Sequence, residues 1–284
     1  MSYRFLKGHG TENDFVLLPD YDGSVHGLLE AQRVRSLCDR RAGIGGDGVL
    51  RVIRTAALAA LAPETPGVAD SCADWFMDYR NADGSVAEMC GNGVRVFAHF
   101  LFEAGLVSAD DPLTVGTRDG DKGVRRLFDG RISVDLGEAQ VGGATEVEVA
   151  GRRLAATDVR TGNPHAVAFV GQLSEAGELS TSPGFDAERY PDGVNVEFVA
   201  DRGNHHVAMR VFERGAGETR SCGTGAVAAM VATALRDGIS QPPMLDTTYR
   251  VDVPGGALAV TWTAGNRMVL TGPAELVAEG TTGL

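Results

Sequence analysis

Two short stretches, MCGNGVR around Cys90 and SCGTGA around Cys222, each put a cysteine directly before Gly-x-Gly and an apolar helical run. That order places each thiol at a helix N-terminus, where the dipole and the unpaired N–H groups pull its pKa below the reference value of about 8.5. The same N–H groups form a cradle for an anion, and the glycines let a small one reach the backbone. One such cysteine is more often a packing choice than a catalyst. Two in equivalent settings reverse that balance. They describe a base and an acid on opposite sides of one small anionic substrate. One thiolate removes a proton from a carbon beside a carboxylate, and the other cysteine, as thiol, delivers a proton to the opposite face, so chirality inverts. The carboxylate lies between two helix N-termini, where fixed dipoles stabilise the developing charge. This scheme calls for no metal and no organic cofactor. Only Lys7 and Lys122 could carry pyridoxal phosphate, and neither sits in a recognisable site for it.

The elements that must position these thiols can be read from periodicity and punctuation. RFLKGHGTENDFVLLPD reads as strand, polar loop and strand, the latter over 15–18. LEAQRVRSLCDR, 29–40, has helical spacing at Leu29, Val34, Leu37 and Cys38. GIGGDG is a turn-rich loop before the strand GVLRVIR, and Asp47 within it reads as a turn residue. Residues 55–71, rich in Ala and Pro, read as a surface insertion. WFMDYRNADGS is a strand with a turn at Asp83-Gly84, and GNGVRVFAHFLFEAG is a helix closed by Gly105.

The second part of the chain repeats this grammar. LTVGTR, RRLFDGRISVDLG and TEVEVAG are strand-like, TGNPHAV opens another strand, and DGVNVEFV and HHVAMRVFER follow. CGTGAVAAMVATALRDG is a helix with a terminal glycine, and YRVDVPGGALAVTW and RMVLTGPAELVAEG return to strands. Asn13 thereby matches Asn163, and Cys90 matches Cys222, with 77 residues between the marks in the first half and 59 in the second. The repeat rests on order, since identity between the halves is slight. The expected division is residues 1–119 with 271–284 for the half carrying Cys90, and 120–270 for the half carrying Cys222.

Bulk properties set the outer limits. The 284 residues carry a net charge of −12, which argues against nucleic acid and anionic membranes as partners. No apolar run approaches the ~20 residues of a membrane span, and the opening MSYRFLKGHGTENDF lacks a signal-peptide core, so a cytoplasmic location is expected. The four cysteines form no CxxC pair, which disfavours a zinc knuckle or a redox dithiol. Cys38 reads as core and Cys72 as incidental. His9, His26 and His99 have no neighbours suggesting a site, and His205 and His206 read as surface or edge residues.

GTENDFVLL, NADGS…MCGNGVR, TGNPHAV, GVNVEF and ERGAGETRSCGTGA, in that order, closely resemble the diaminopimelate epimerase family. With the strand-rich remainder, the resemblance spans essentially the whole chain. It implies a cofactor-independent epimerase interconverting LL- and meso-diaminopimelate for lysine and peptidoglycan precursor synthesis. It also implies a mixed α/β (α+β) fold of two pseudo-symmetric domains. Each would be a β-barrel-like sheet around a central helix, with the active site in the cleft between them, and the protein would be a homodimer. By resemblance Cys90 is the base and Cys222 the acid in one direction. Gly91, Asn92, Gly223 and Thr224 would hold the reacting carboxylate through their backbone, and Asn13 would touch substrate. Asn81, Asn163, Asn195 and Arg214 would read the distal amino-acid end, with Glu213 and His165 flanking the reacting centre. Gly48 stands where some members carry a polar side chain, so no substrate contact is assigned there.

The chemistry supports these roles. Arg214 can fork onto a distal carboxylate, amides can satisfy the rest, and Glu213 can hold an ammonium. Without the resemblance, Asn81 is equally well explained as a turn residue, and Glu213 and Arg214 as a solvated strand end. Proline racemases and hydroxyproline epimerases use the same two-cysteine logic, but proline has no distal charged end for Arg214 to read. A cysteine hydrolase using Cys222 or Cys90 with His165 would instead trap an acyl group. A binding protein with structural thiols would bind ligand without proton exchange. Two thiols facing one small substrate would also lie close enough for oxidation to join them.

Overall fold

The alternation in YRFLKGHG becomes strand β1 (Tyr3–Gly10), which turns directly into β2 (Asn13–Pro19). The turn uses Thr11 and Glu12, both with positive φ (51° and 62°), a hairpin geometry that normally selects glycine or asparagine. Helix α1 (Ala31–Cys38) buries Val34, Leu37 and Cys38 on the face its spacing predicts. Strand β3 (Gly48–Arg54), helix α2 (Thr55–Leu61) and strand β4 (Trp75–Asn81) follow. Helix α3 (Gly91–Glu103) then leads to β5 (Leu113–Gly116), β6 (Lys122–Arg126) and β7 (Ile132–Asp135). The computed structural model describes residues 2–284, and these divide into two units. Unit 1 runs to Val134 and takes back Pro273–Leu284, while unit 2 is Asp135–Gly272. The division thus falls later than 119/120, because β6 and β7 continue the antiparallel sheet from β5.

Unit 2 contains β8 (Gln140–Val149), β9 (Arg152–Thr161), β10 (Asn163–Val170) and the short β11 (Gly184–Phe185). After these come β12 (Asn195–Gly203), β13 (His206–Glu213), the short β14 (Gly217–Thr219) and helix α4 (Gly223–Arg236). Strands β15 (Thr247–Val253), β16 (Gly256–Trp262) and β17 (Met268–Gly272) complete the unit. The last strand, β18 (Glu275–Thr282), pairs with β1 in unit 1.

The repeat inferred from motif order is a repeat of topology. Unit 1 runs β18–β1–β2–β3–β4–β5–β6–β7. Unit 2 runs β8–β9–β10–β12–β13–β15–β16–β17. Both follow the same succession: two antiparallel steps, then parallel, antiparallel, parallel and two antiparallel steps. Each sheet wraps one helix, α3 or α4. These helices are buried on nearly every side, as Val94, Phe97 and Leu101 are in α3 and Ala226, Met230 and Ala234 in α4, the expected fate of a helix apolar all round. Both end alike. Gly105 (φ 63°) and Gly238 (φ 84°) close α3 and α4, and the next residue, Leu106 or Ile239, donates back to Leu101 or Ala234.

The segment 55–71 is not the surface loop expected from its composition. Alanine-rich TAALAAL forms α2, and Leu58, Ala62 and Val68 are buried against Ile53 and Phe76. The alanines that suggested an insertion are good helix formers, and Leu58 anchors the helix to β3 and β4. Charge is buried nearby as well. Arg51, 1% exposed, bridges Asp20 and Asp78, and Arg118 also pairs with Asp78. Burial alone would raise the Asp78 pKa, but Arg118, Arg80 and Arg51 outweigh it and hold the carboxyl low. Because α2 is packed, Leu58→Ala is expected to lower unfolding stability by about 2–3 kcal/mol at unchanged denaturant slope. A urea midpoint equal to wild type would return the segment to a loop.

Candidate active site

In unit 1 the half-site is built on the first turn of α3. Cys90 is the N-cap residue in extended conformation, and its Sγ accepts the Gly93 N–H at 3.4 Å. Cysteine thus occupies the place of a serine or aspartate cap. Asn13, the first residue of β2, directs Oδ1 at Cys90 Sγ (3.5 Å) and accepts there from Asn92 Nδ2 (3.2 Å). Its own Nδ2 donates to Asp47 Oδ2 at 2.8 Å. Asp47 is therefore more than a turn residue: it fixes which end of the Asn13 amide faces the thiol. Burial and the neighbouring Asp14 charge push the Asp47 carboxyl up. Asp14 goes the other way. Burial would raise it, but hydrogen bonds from Arg40 and Lys7 outweigh that and hold it well below the usual carboxylate range.

Beneath this turn lies a cation that the sequence reading missed. Arg95 is fully buried and donates to Asn92 Oδ1 (2.9 Å), Thr11 Oγ1 (3.3 Å) and the Pro273 carbonyl (3.3 Å). Burial brings its pKa down to about 10, opposed by the charge of Cys90. Arg95 also accounts for its surroundings. A Cβ at Gly10 would sit 2.9 Å from its Nη2, and Thr11, at the strained turn position, is held by it. The available signal was a lone charge inside the apolar run VRVF.

Unit 2 repeats the cap with different surroundings. Cys222 is the N-cap of α4, and its Sγ accepts from Gly225 N at 3.3 Å and lies 3.5 Å from Thr224 Oγ1. The Thr224 carbonyl accepts from Thr161 Oγ1 at 3.2 Å. His165 is fully buried, with Nδ1 2.7 Å from Oε1 of the equally buried Glu197. Cys222 does not follow the expectation of a lowered pKa. Burial, Glu213 and Glu197 push it well above the ordinary thiol value, and the hydrogen bonds from Thr224 and Gly225 do not compensate. Desolvation and two neighbouring carboxylates both disfavour the thiolate here.

Other expected residues fall into place around these turns. Gly91 and Asn92 open α3, Gly223 and Thr224 open α4, and all four are buried. Asn195 begins β12 in register with His165 on β10, and its Oδ1 accepts the Arg214 N–H at 2.9 Å. Arg214 is exposed, and its Nη1 donates to the Asp192 carbonyl at 3.0 Å. Glu213, at the end of β13, accepts from the Thr219 hydroxyl. Asn163 opens β10 opposite Thr161. Asn81 ends β4 and opens the turn after it, its Nδ2 donating to Ser85 Oγ at 3.0 Å. Cys38 is core, its thiol pushed up to about 11 by burial, and Cys72 is exposed. Of the histidines set aside, His26 is buried edge-on to Tyr3, and His206 pairs with Asp252 at 2.8 Å.

The sequence profile of the diaminopimelate epimerase family matches residues 5–142 and 157–277. The chain belongs to that family. It is 56% identical to a diaminopimelate epimerase of Streptomyces coelicolor over 280 residues, covering 97% of this chain and 94% of that protein. It is 50% identical to one from Thermobifida fusca over 277 residues, covering 98% and 97%. Among solved structures it resembles a Bacillus anthracis phenazine biosynthesis protein of the PhzF family (TM-score 0.71, 16% identity, 100% of both chains). It also resembles a hydroxyproline epimerase from Agrobacterium vitis (TM-score 0.66, 15% identity, 99% of this chain and 92% of that one). At that identity these two share the fold, a mixed α/β architecture. Among the described residues, no helix of this family member is long and apolar enough to cross a membrane.

The raised Cys222 pKa gives this epimerase-family chain a measurable signature. Thiolate forms only as pH climbs through the raised value, so iodoacetamide labelling of Cys222, followed by peptide mass mapping, is expected to keep rising above pH 9. A rate that levels off below about pH 8 would mean that the helix terminus dominates after all.

Proposed function

We infer that this chain inverts one α-carbon of 2,6-diaminopimelate, interconverting the LL and meso isomers without an organic cofactor. The observation that carries this reading is a thiol-capped, glycine-bearing first turn at the start of the buried helix in each of two topologically matched units. Inversion at one carbon needs a proton acceptor on one face and a donor on the other, and each unit supplies one thiol. Cys90 as thiolate takes the α-proton and becomes a thiol. The electron pair passes into the carboxylate, and the Cys222 thiol returns a proton to the opposite face and becomes a thiolate. The protonated preference of Cys222 suits it to be the donor in this direction. The reverse reaction exchanges the roles.

The first-turn amides of Gly91, Asn92, Gly223 and Thr224 would hold the reacting carboxylate as it gains charge. Asn13 presents a carbonyl oxygen beside Cys90, which suits an ammonium hydrogen. Asn81, Asn163, Asn195 and Arg214 would recognise the distal amino-acid end, with Glu213 and His165 beside the reacting carbon. The product would serve lysine and peptidoglycan precursor synthesis. The working protein would be a homodimer in the cytoplasm.

Purified protein incubated with LL-diaminopimelate in D₂O, with no added cofactor, should lose one α-proton signal by NMR as the meso isomer forms. Cys90→Ala and Cys222→Ala should each slow epimerisation by about 10²–10⁴-fold while staying folded. Absence of exchange by reduced, folded wild type would set diaminopimelate aside, and a trapped acyl group on either thiol would point to hydrolysis.

A further inference from the structure

Glu197 is flanked in β12 by apolar neighbours, in the run VEFVA (196–200), and is fully buried. A carboxylate at such a position costs several kcal/mol of desolvation unless it is compensated, and packing alone is served by valine. Its Oε1 is 2.7 Å from His165 Nδ1. The same oxygen presses on the first turn of α4, where a Cβ at Gly225 would stand 2.7 Å from it. Glu197 therefore leaves room only for glycine three residues after Cys222, at the residue whose N–H caps the thiol. His165 Nε2 is buried and has no hydrogen-bond partner among the described residues. An orphaned buried N–H is rarer and costlier than an orphaned acceptor lone pair. The imidazole is thus best satisfied with its hydrogen on Nδ1, given to Glu197, and Nε2 bare.

We propose that Glu197 is a positioning residue: by taking the Nδ1 hydrogen of His165 it fixes the imidazole with a bare Nε2, so that His165 accepts a hydrogen from the ammonium of an amino-acid substrate and does not bind its carboxylate. The substrate part of this inference rests on the amino-acid epimerase reading given above. The division of labour follows: amides of the first helical turns take the carboxylate, and His165 takes the ammonium. No bond is made or broken at Glu197.

The test is the tautomer of His165 in the intact, substrate-free protein. With ¹⁵N-labelled histidine, and His165→Asn for assignment, long-range ¹H–¹⁵N correlation should show hydrogen on Nδ1 alone. Glu197→Leu removes the acceptor and should move the hydrogen to Nε2, with KM for diaminopimelate rising about tenfold or more. Glu197→Gln keeps an acceptor oxygen and should retain the wild-type tautomer and a KM within about threefold of wild type. Hydrogen on Nε2 in the wild type overturns the proposal, as does an unchanged ring spectrum and KM in Glu197→Leu. Should the leucine variant fail to fold, the wild-type and glutamine spectra decide the matter. A wild type with hydrogen on Nδ1 but no α-proton exchange overturns the assigned reaction, while upholding the control of His165 by Glu197.

Discussion

Each unit depends on a hydrogen bond from the third amide of a buried helix to a cysteine sulfur. A helix wrapped by a sheet has nowhere to send its first N–H groups except to a cap or a ligand. Sulfur takes one of them at Gly93 and one at Gly225, and the remaining amides of the turn stay oriented together. The glycines follow from this constraint. A side chain at Gly225 would strike Glu197 and Cys222, and one at Gly93 would meet Leu50 and Cys90. Sheet, helix and capped turn therefore specify one another, and the same solution occurs twice.

The repeat is broken at the level of charge. Under Cys90 lies the buried guanidinium of Arg95, tied to Asn92 and the Thr11 turn. Around Cys222 lie the carboxylates of Glu197 and Glu213. Two copies of one scaffold thus surround their thiols with opposite fields. The inverting pair proposed above would benefit from that difference, because at any moment one thiol would hold a proton and the other would lack one. Symmetric surroundings would leave both sulfurs in the same state for much of the time.

What could be read from the chain was what is local. Cysteine before Gly-x-Gly and a closing glycine announce α3 and α4, and the strand after each asparagine loop shows as a short apolar run. Three things escaped because their causes lie far away in sequence. Arg95 makes sense only beside Gly10, Thr11 and Pro273. Glu197 makes sense only beside His165 on the neighbouring parallel strand. The thiol of Cys222 is pushed up because burial and carboxylates from β12 and β13 converge on it. Strand β9 went unread because its sequence, RRLAATDVRT, mixes charged and small residues, so its alternation is weak. Helix α2 was hidden by an Ala- and Pro-rich composition that reads as an insertion.

The pairing of β18 with β1 has a consequence for biogenesis. Unit 2 is one uninterrupted stretch, Asp135–Gly272, whereas unit 1 lacks an edge strand until Glu275–Thr282 has been made. During N-to-C synthesis the later-coded unit can reach its final form first, and the earlier one must wait with the Tyr3–Gly10 edge unpaired. An unpaired edge is a template for wrong partners. Strand β18 is thus the one that seals the nascent chain against association, and it delays completion of the Cys90 half until the Cys222 half has been translated.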